Sequence, residues 1–277
     1  TGPVRFRFLN EEREVAGPGA WNDSSVAKLW LYNLHYFDDL NAERAKEREG
    51  WHLALIRRWI DENPPADGNG WEPFPTSLRI VNWVKWALAG NALPEGASHS
   101  LAVQARCLEQ SIETHLLGNH LLANAKALVF AGLFFEGGEA DRWLAKGLAL
   151  LRHEIPEQVL KDGGHFERSP MYHSMILEGL LDLVNLSRSY GGSASAVCSE
   201  LVPAWEETAR RMLSWLGAMC HPDGEIALFN DAAFGVEPSP VELEAYARRL
   251  GLFSGVFPRD GVTHLSESGY VRIQKED

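Results

Sequence analysis

The chain is poor in cysteine. Cys107, Cys198 and Cys220 form no Cys-x-x-Cys pair and no Cys/His metal spacing. A disulfide framework and a zinc ribbon are therefore not written in it, and the redox compartment stays open. Cys107 and Cys220 fall in apolar helical patterns and read as small buried hydrophobes. No run of about 18 apolar residues exists, so no membrane span is expected. No signal peptide is legible, and a start at Thr1 rather than Met reads as a processed or trimmed chain. Positive charge is also short: 26 Lys and Arg against 38 Asp and Glu, a net −12. That balance excludes nucleic acid as a natural partner, and an acidic polymer would need a local basic cleft. No fixed-period repeat is present, which counts against a regular solenoid.

What is present is apolar surface and tryptophan. The 277 residues are 45 % hydrophobic, enough for one large domain, or one domain plus a fragment. Of ten tryptophans, Trp21, Trp30, Trp51, Trp59, Trp71, Trp83 and Trp86 lie in the first third. Tryptophan joins a large apolar face to one polar N–H. It serves helix packing, and it also suits the face of a sugar. Residues 4–9 alternate as a short strand. Apolar three- and four-residue spacing then predicts helices near 25–45, 50–62, 76–90, 97–117, 120–136, 139–155, 170–190, 197–219 and 239–250. Pro64, Pro65, Gly137, Gly138, Gly191 and Gly192 break the pattern where helices should end. Long polar loops at 63–75, 156–169 and 220–238 are places where function tends to sit. Residues 262–265 and 269–273 read as two strands around a Ser266-Glu267-Ser268 turn. A stack of antiparallel helical hairpins follows, as a solenoid, a bundle or a closed α/α toroid.

Four segments carry ionisable chemistry. In Asp162-Gly163-Gly164-His165-Phe166-Glu167-Arg168-Ser169-Pro170-Met171-Tyr172-His173, a glycine turn leads through polar residues into an apolar helix. Tyr172 is either a packed tyrosine or a general acid/base, its pKa lowered by Arg168, His165 and His173. In Gly118-Asn119-His120, Asn119 stands where an N-cap would. It either caps or, with the helix N-terminus, receives an anion such as a carboxylate. His120 and Asn124, four apart, share a helical face. Around Trp71, Arg79 either binds a carboxylate bidentately or pairs with Glu72. Around Asp223-Gly224, a plain turn precedes Phe229-Asn230-Asp231, where Asn230 and Asp231 are candidate cleft residues. His221 with Asp223, and His165 with Glu167, are only two-ligand fragments, so neither a metal nor a cofactor is expected.

Taken together, Leu31-Tyr32-Asn33-Leu34-His35-Tyr36-Phe37-Asp38, the Arg79 segment, Gly118-Asn119-His120, Ser169-Pro170-Met171-Tyr172-His173 and Phe229-Asn230-Asp231 resemble the heparinase II/III family of polysaccharide lyases. The resemblance covers nearly the whole chain. It implies a mainly α fold: an incomplete (α/α) toroid over 1–258, then the first strands of a truncated C-terminal β-sandwich over 259–277. It implies β-elimination on a uronic-acid polysaccharide. Tyr172 would then be the acid/base and Asn119 with His120 the carboxylate's partners. Arg79, His173, Arg168, Trp71 and Asn230 would be substrate contacts. It also implies a periplasmic or secreted bacterial protein, and a further catalytic histidine from the missing β-domain; His264 is not nominated. Some family members also carry an acid shortly after the Asn-His pair, where this chain has Ala123 and Asn124.

Two other readings remain. An α/α-barrel glycoside hydrolase would need two carboxylates about 5 or 6.5–9.5 Å apart, from Asp162, Glu167 and Asp231. A non-catalytic acidic-glycan-binding protein of exopolysaccharide assembly would need none.

Overall fold

A computed structural model describes residues 2–116, 118–190, 197–253 and 261–275. Among these, nine α-helices of at least nine residues and two strand pairs form the mainly helical fold that was expected. The chain divides into two compact units, Thr1–Leu148 and Ala149–Asp277. The expected boundary at 258/259 lies outside the described residues.

The first unit opens with β1 (Arg5–Phe8) paired to β2 (Glu11–Glu14), Phe8 opposite Glu11. Leu9 and Asn10 both hold positive φ (52° and 61°), the backbone of a tight two-residue hairpin. The second strand is all charge, so alternation could not reveal it. Helix α1 (Lys28–Tyr36) stops well before residue 45, because Phe37 turns left-handed at φ 64°. Next come α2 (Glu49–Glu62), α3 (Pro73–Leu88), α4 (Ala97–Gln110) and α5 (Gly118–Phe134). Helix α5 is apolar nearly all round and packs on α3 and α4. Helix α6 (Gly138–Gln158) lies so close that a Cβ on Gly132 would meet Leu144 N at 2.6 Å, and one on Gly147 would meet Ala125 O at 2.7 Å.

The tryptophans form the heart of this unit. Trp21, Trp30, Trp59, Trp83 and Trp86 are buried, whereas Trp51 is exposed. Arg79 sits among them, fully buried, its guanidinium 3.7 Å from the Trp59 ring centre. Its Nε donates to Gln104 Oε1 at 2.9 Å. A cation with its fork bonded inside the core and no open face cannot reach a substrate, so the expected substrate contact is corrected to a packing role. Nor does it pair with Glu72, whose carboxylate takes Lys28 at 2.9 Å and the Tyr32 hydroxyl. Trp71 is corrected likewise. It is buried, and its Nε1 donates to Asn63 O at 3.2 Å. His35 is buried too, accepting from Trp59 Nε1 at 3.0 Å and donating from Nε2 to Trp21 O at 3.1 Å. Burial, then the charge of Arg79, pushes its pKa down to about 3.

The second unit holds α7 (Pro170–Ser189), α8 (Val202–Ala218) and α9 (Pro240–Arg249), with α7 packed on both the others. Strands β3 (Gly261–Leu265) and β4 (Tyr270–Gln274) pair antiparallel, Leu265 opposite Tyr270. This hairpin joins the core through Leu265, which packs with Trp215, Met219 and Ala227. Arg272 adds a polar tie, its Nη1 donating to Gly217 O and Ala218 O at the end of α8 (2.9 and 3.0 Å). Among the described residues no helix is long and apolar enough to cross a membrane.

Candidate active site

In the first unit the polar centre is Glu113, in the turn after α4. Its Oε1 lies 3.1 Å from His120 Nδ1, and its Oε2 accepts from Asn124 Nδ2 at 3.2 Å. Asn124, fully buried, also donates to Ser77 Oγ at 3.0 Å and accepts from Glu113 N at 2.9 Å. Ser77 in turn donates to Pro73 O at 2.8 Å. The four-residue spacing of His120 and Asn124 thus puts both on one carboxylate. The His120 ring stacks on Phe74 with centroids 4.3 Å apart, so it is fixed in place while remaining half-exposed. Asn119, also half-exposed, stands inside the first turn of α5 rather than at its cap.

The acid that meets His120 and Asn124 in the folded chain is Glu113, seven residues before His120. No helical period links Glu113 to His120, because Glu113 lies beyond the end of α4 at Gln110 and His120 lies inside α5. Only the folded turn brings them together.

In the second unit the Asp162–His173 stretch separates into a buried scaffold and an exposed rim. Gly163 has φ +94°, and a Cβ there would meet Arg211 O at 2.2 Å. A Cβ on Gly164 would meet Trp215 Nε1 at 2.6 Å. The glycine pair is there to let the turn lie on α8. Asp162 Oδ2 accepts from Ser268 N and Oγ at 2.7 and 2.8 Å, and Ser268 Oγ accepts from Trp215 Nε1 at 2.9 Å. His165 and His173 are fully buried. His173 stacks on Trp215 at 4.4 Å and donates from Nε2 to Met212 O at 3.0 Å. Burial lowers the pKa of His173 to about 3 and of His165 to about 4. The expected substrate contact by His173 is thereby corrected: it is a neutral ring inside the core.

The rim consists of Arg168, Tyr172, Asn230 and Asp231. Ser169 caps α7, its Oγ accepting from Tyr172 N at 3.3 Å. Tyr172, half-buried, donates from its hydroxyl to Asp231 Oδ2 at 3.1 Å. Asn230 Nδ2 donates to Arg168 O at 2.8 Å, and Tyr270 Oη donates to the same carbonyl at 2.9 Å. The structure thus brings Arg168, Tyr172, Asn230 and Asp231 together. The expected lowering of the tyrosine pKa is reversed. Burial raises it first, then the hydrogen bond and charge of Asp231, then Glu167 and Glu237. The two histidines invoked to lower it are buried and uncharged, and acids surround the phenol instead.

For a metal, one group among the described residues has ligand-like spacing. His153 Nδ1 lies 3.0 Å from Glu154 Oε1 and 3.5 Å from Glu157 Oε2. These contacts are also those of an ordinary ion-pair cluster on α6.

Comparison with solved structures shows a shared fold. The crystal structure of heparinase III matches with a TM-score of 0.71 over 96 % of this chain and 45 % of that one, at 21 % identity. A mutant of heparan sulfate lyase HepC from Pedobacter heparinus matches with a TM-score of 0.61 over 98 % of this chain and 47 % of that one, at 20 % identity. The family profile described as "Heparinase II/III N-terminus" matches residues 41–254, and the chain belongs to the heparinase II/III family. A heparin-sulfate lyase of Bacteroides stercoris is 33 % identical over 42 % of this chain and 17 % of its own length. One of Bacteroides thetaiotaomicron is 26 % identical over 66 % of this chain and 28 % of its own length. The chain spans less than half the length of these structures, and the matches cover less than a third of these curated relatives.

Proposed function

We propose that the protein carrying this chain is a polysaccharide lyase that cleaves a uronic-acid-containing glycosaminoglycan by β-elimination. Tyr172 acts as general acid/base, and Asn119 with His120 meets the uronate carboxylate. Heparin-sulfate lyases among the relatives support the substrate class. The observation that carries the reading is the Tyr172 phenol, half-buried at the start of α7 and hydrogen-bonded to a carboxylate. The uronate C5 proton is barely acidic while its carboxylate is ionised. Donors held against that carboxylate stabilise the enolate-like transition state, and such preorganised donors are often the largest catalytic term. The half-exposed Asn119 and the anchored His120 ring suit that task. With a net charge of −12, the chain would bind an acidic polymer through local cations such as Arg168. The reading includes a C-terminal β-sandwich domain beginning near 259–277 and supplying a further histidine. It also places the protein in the periplasm or outside the cell, where such polymers lie.

Asp162, one of the three carboxylates of the hydrolase reading, accepts three bonds, from Ser268 N, Ser268 Oγ and Gly164 N, which leaves that reading Glu167 and Asp231. The test is near-ultraviolet absorbance of the unsaturated uronate product, using full-length protein on heparan sulfate, alginate and other bacterial acidic polysaccharides. The expected result is product from at least one polymer, with Tyr172→Phe and Asn119→Ala each slower by about 10²–10⁴-fold. Full lyase activity in Tyr172→Phe would remove the assigned acid/base. Polymer binding without cleavage by any full-length preparation would make the protein a glycan-binding one.

A further inference from the structure

The partner of the Tyr172 phenol is held with unusual care. Asp231 main-chain O accepts from Ser169 Oγ at 2.8 Å, and the same hydroxyl accepts from Tyr172 N at 3.3 Å. One side chain is therefore both the cap of α7 and the clasp on residue 231. Asn230 holds φ 55°, a left-handed backbone that asparagine tolerates better than most residues. Its Nδ2 donates to Arg168 O at 2.8 Å and to Glu167 O at 3.3 Å. Residues 167–169 and 230–231, some sixty positions apart, are strapped together in this way. The strap uses the main chain of Asp231, which leaves its carboxylate to the phenol.

The surroundings of Tyr172 also oppose a phenolate. Burial, Asp231, Glu167 and Glu237 all favour the neutral phenol. A base made by simple ionisation of Tyr172 is thus scarce near neutral pH, although the reaction needs a proton taken from C5.

We propose that Asp231 is the positioning residue of Tyr172, aiming its hydroxyl and taking its proton while the phenol oxygen receives the proton of the substrate. This rests on the lyase reading above. In the first step the C5–H bond breaks, its proton joins the phenol oxygen, and its electron pair enters the uronate enolate. The original phenol O–H bond breaks as that proton passes to Asp231 Oδ2. In the second step the C4–O bond breaks with its electron pair leaving on the glycosidic oxygen, and the C4–C5 double bond forms. Tyr172 protonates that oxygen, and Asp231 returns its proton to Tyr172. The protein ends as it began, and Tyr172 is neutral at both ends of the cycle.

Asp231→Asn in the full-length protein separates this role from a structural one. The amide keeps the shape and leaves the Ser169 clasp on the main chain, yet it cannot accept the proton. We expect kcat to fall by about 10- to 1,000-fold, KM to stay within about twofold, and Asp231→Glu to recover part of the rate. A second measurement needs no substrate. Alkaline titration of tyrosinate absorbance, with the Tyr172→Phe curve subtracted, should show Tyr172 ionising at lower pH in Asp231→Asn. Wild-type kcat in Asp231→Asn, alongside an inactive Tyr172→Phe, would overturn the relay and leave the lyase reading standing. An unchanged Tyr172 ionisation would overturn the pairing itself. A fully active Tyr172→Phe would instead strike the parent reading.

Discussion

Glu113 and Asn124 hold each other at both ends. Asn124 Oδ1 accepts from Glu113 N at 2.9 Å, and Asn124 Nδ2 donates to Glu113 Oε2 at 3.2 Å. The other carboxylate oxygen is then left for His120 Nδ1 at 3.1 Å. A ring nitrogen held by a carboxylate has its orientation fixed, and so has the face it offers a ligand.

Glu113→Ala is expected to destabilise the protein by about 1–3 kcal/mol, because the buried Asn124 Nδ2 loses its carboxylate partner and cannot replace it with water. Glu113→Gln should fold nearly as well. Its cost should appear as a loss of kcat/KM on the polymer, since the amide offers His120 a weaker and less directed anchor. Urea unfolding and steady-state kinetics on the two variants check this. Equal stability of Glu113→Ala and wild type would show that the network is not structural.

Arg79 gives the opposite kind of prediction. Arg79→Ala removes a fully buried side chain from between tryptophans. It should cost about 2–5 kcal/mol, as large-to-small core changes do. Arg79→Met, of similar length, should cost less than Arg79→Ala. Thermal unfolding reads the order. A variant with normal melting but a raised KM would return Arg79 to the substrate.

The buried imidazoles set an acid limit. His173 and His165 fold as neutral rings with pKa values near 3 and 4, well below the value of about 6.5 for an unfolded histidine. Below pH 6.5 the unfolded chain gains protons that the folded one refuses. The stability that each ring contributes is therefore complete above about pH 6.5. It is lost as pH falls toward 4, at up to about 1.4 kcal/mol per pH unit per ring. Denaturant unfolding between pH 7.5 and 4.5 should show the decline. His173→Gln, which can still donate to Met212 O but does not titrate, should flatten it. Parallel curves for the two proteins would contradict the assignment.

Much of the helical scaffold is legible in the chain because helices announce themselves locally. The Met175, Ile176, Leu177, Leu180 and Leu181 pattern runs straight into α7, with Pro170 at its first turn and Ser169 as its cap. The Ser266–Ser268 turn between β3 and β4 is equally local. Strand β2 is not, because Glu11-Glu12-Arg13-Glu14 has no apolar side to show. The end of α1 also escapes, because nothing in Phe37 advertises a left-handed backbone.

The candidate site divides along the same line. Tyr172, Asn119 and His120 stand at helix starts, where sequence marks the position and so the exposure of a side chain. Their partners do not. Glu113 reaches His120 across an irregular turn, and Asp231 reaches Tyr172 from 59 residues away. The same distance from sequence explains the reversed readings of Arg79, Trp71 and His173. Their residue types fit a sugar site, but only packing decides whether such a side chain faces a cleft or another tryptophan. The sequence by itself determined the helices and the kind of chemistry available, since periodicity and residue type are local properties. Tertiary structure alone decided which groups are dry, which are paired and which way the Tyr172 pKa moves. Burial and electrostatic neighbourhood depend on what the rest of the chain brings alongside.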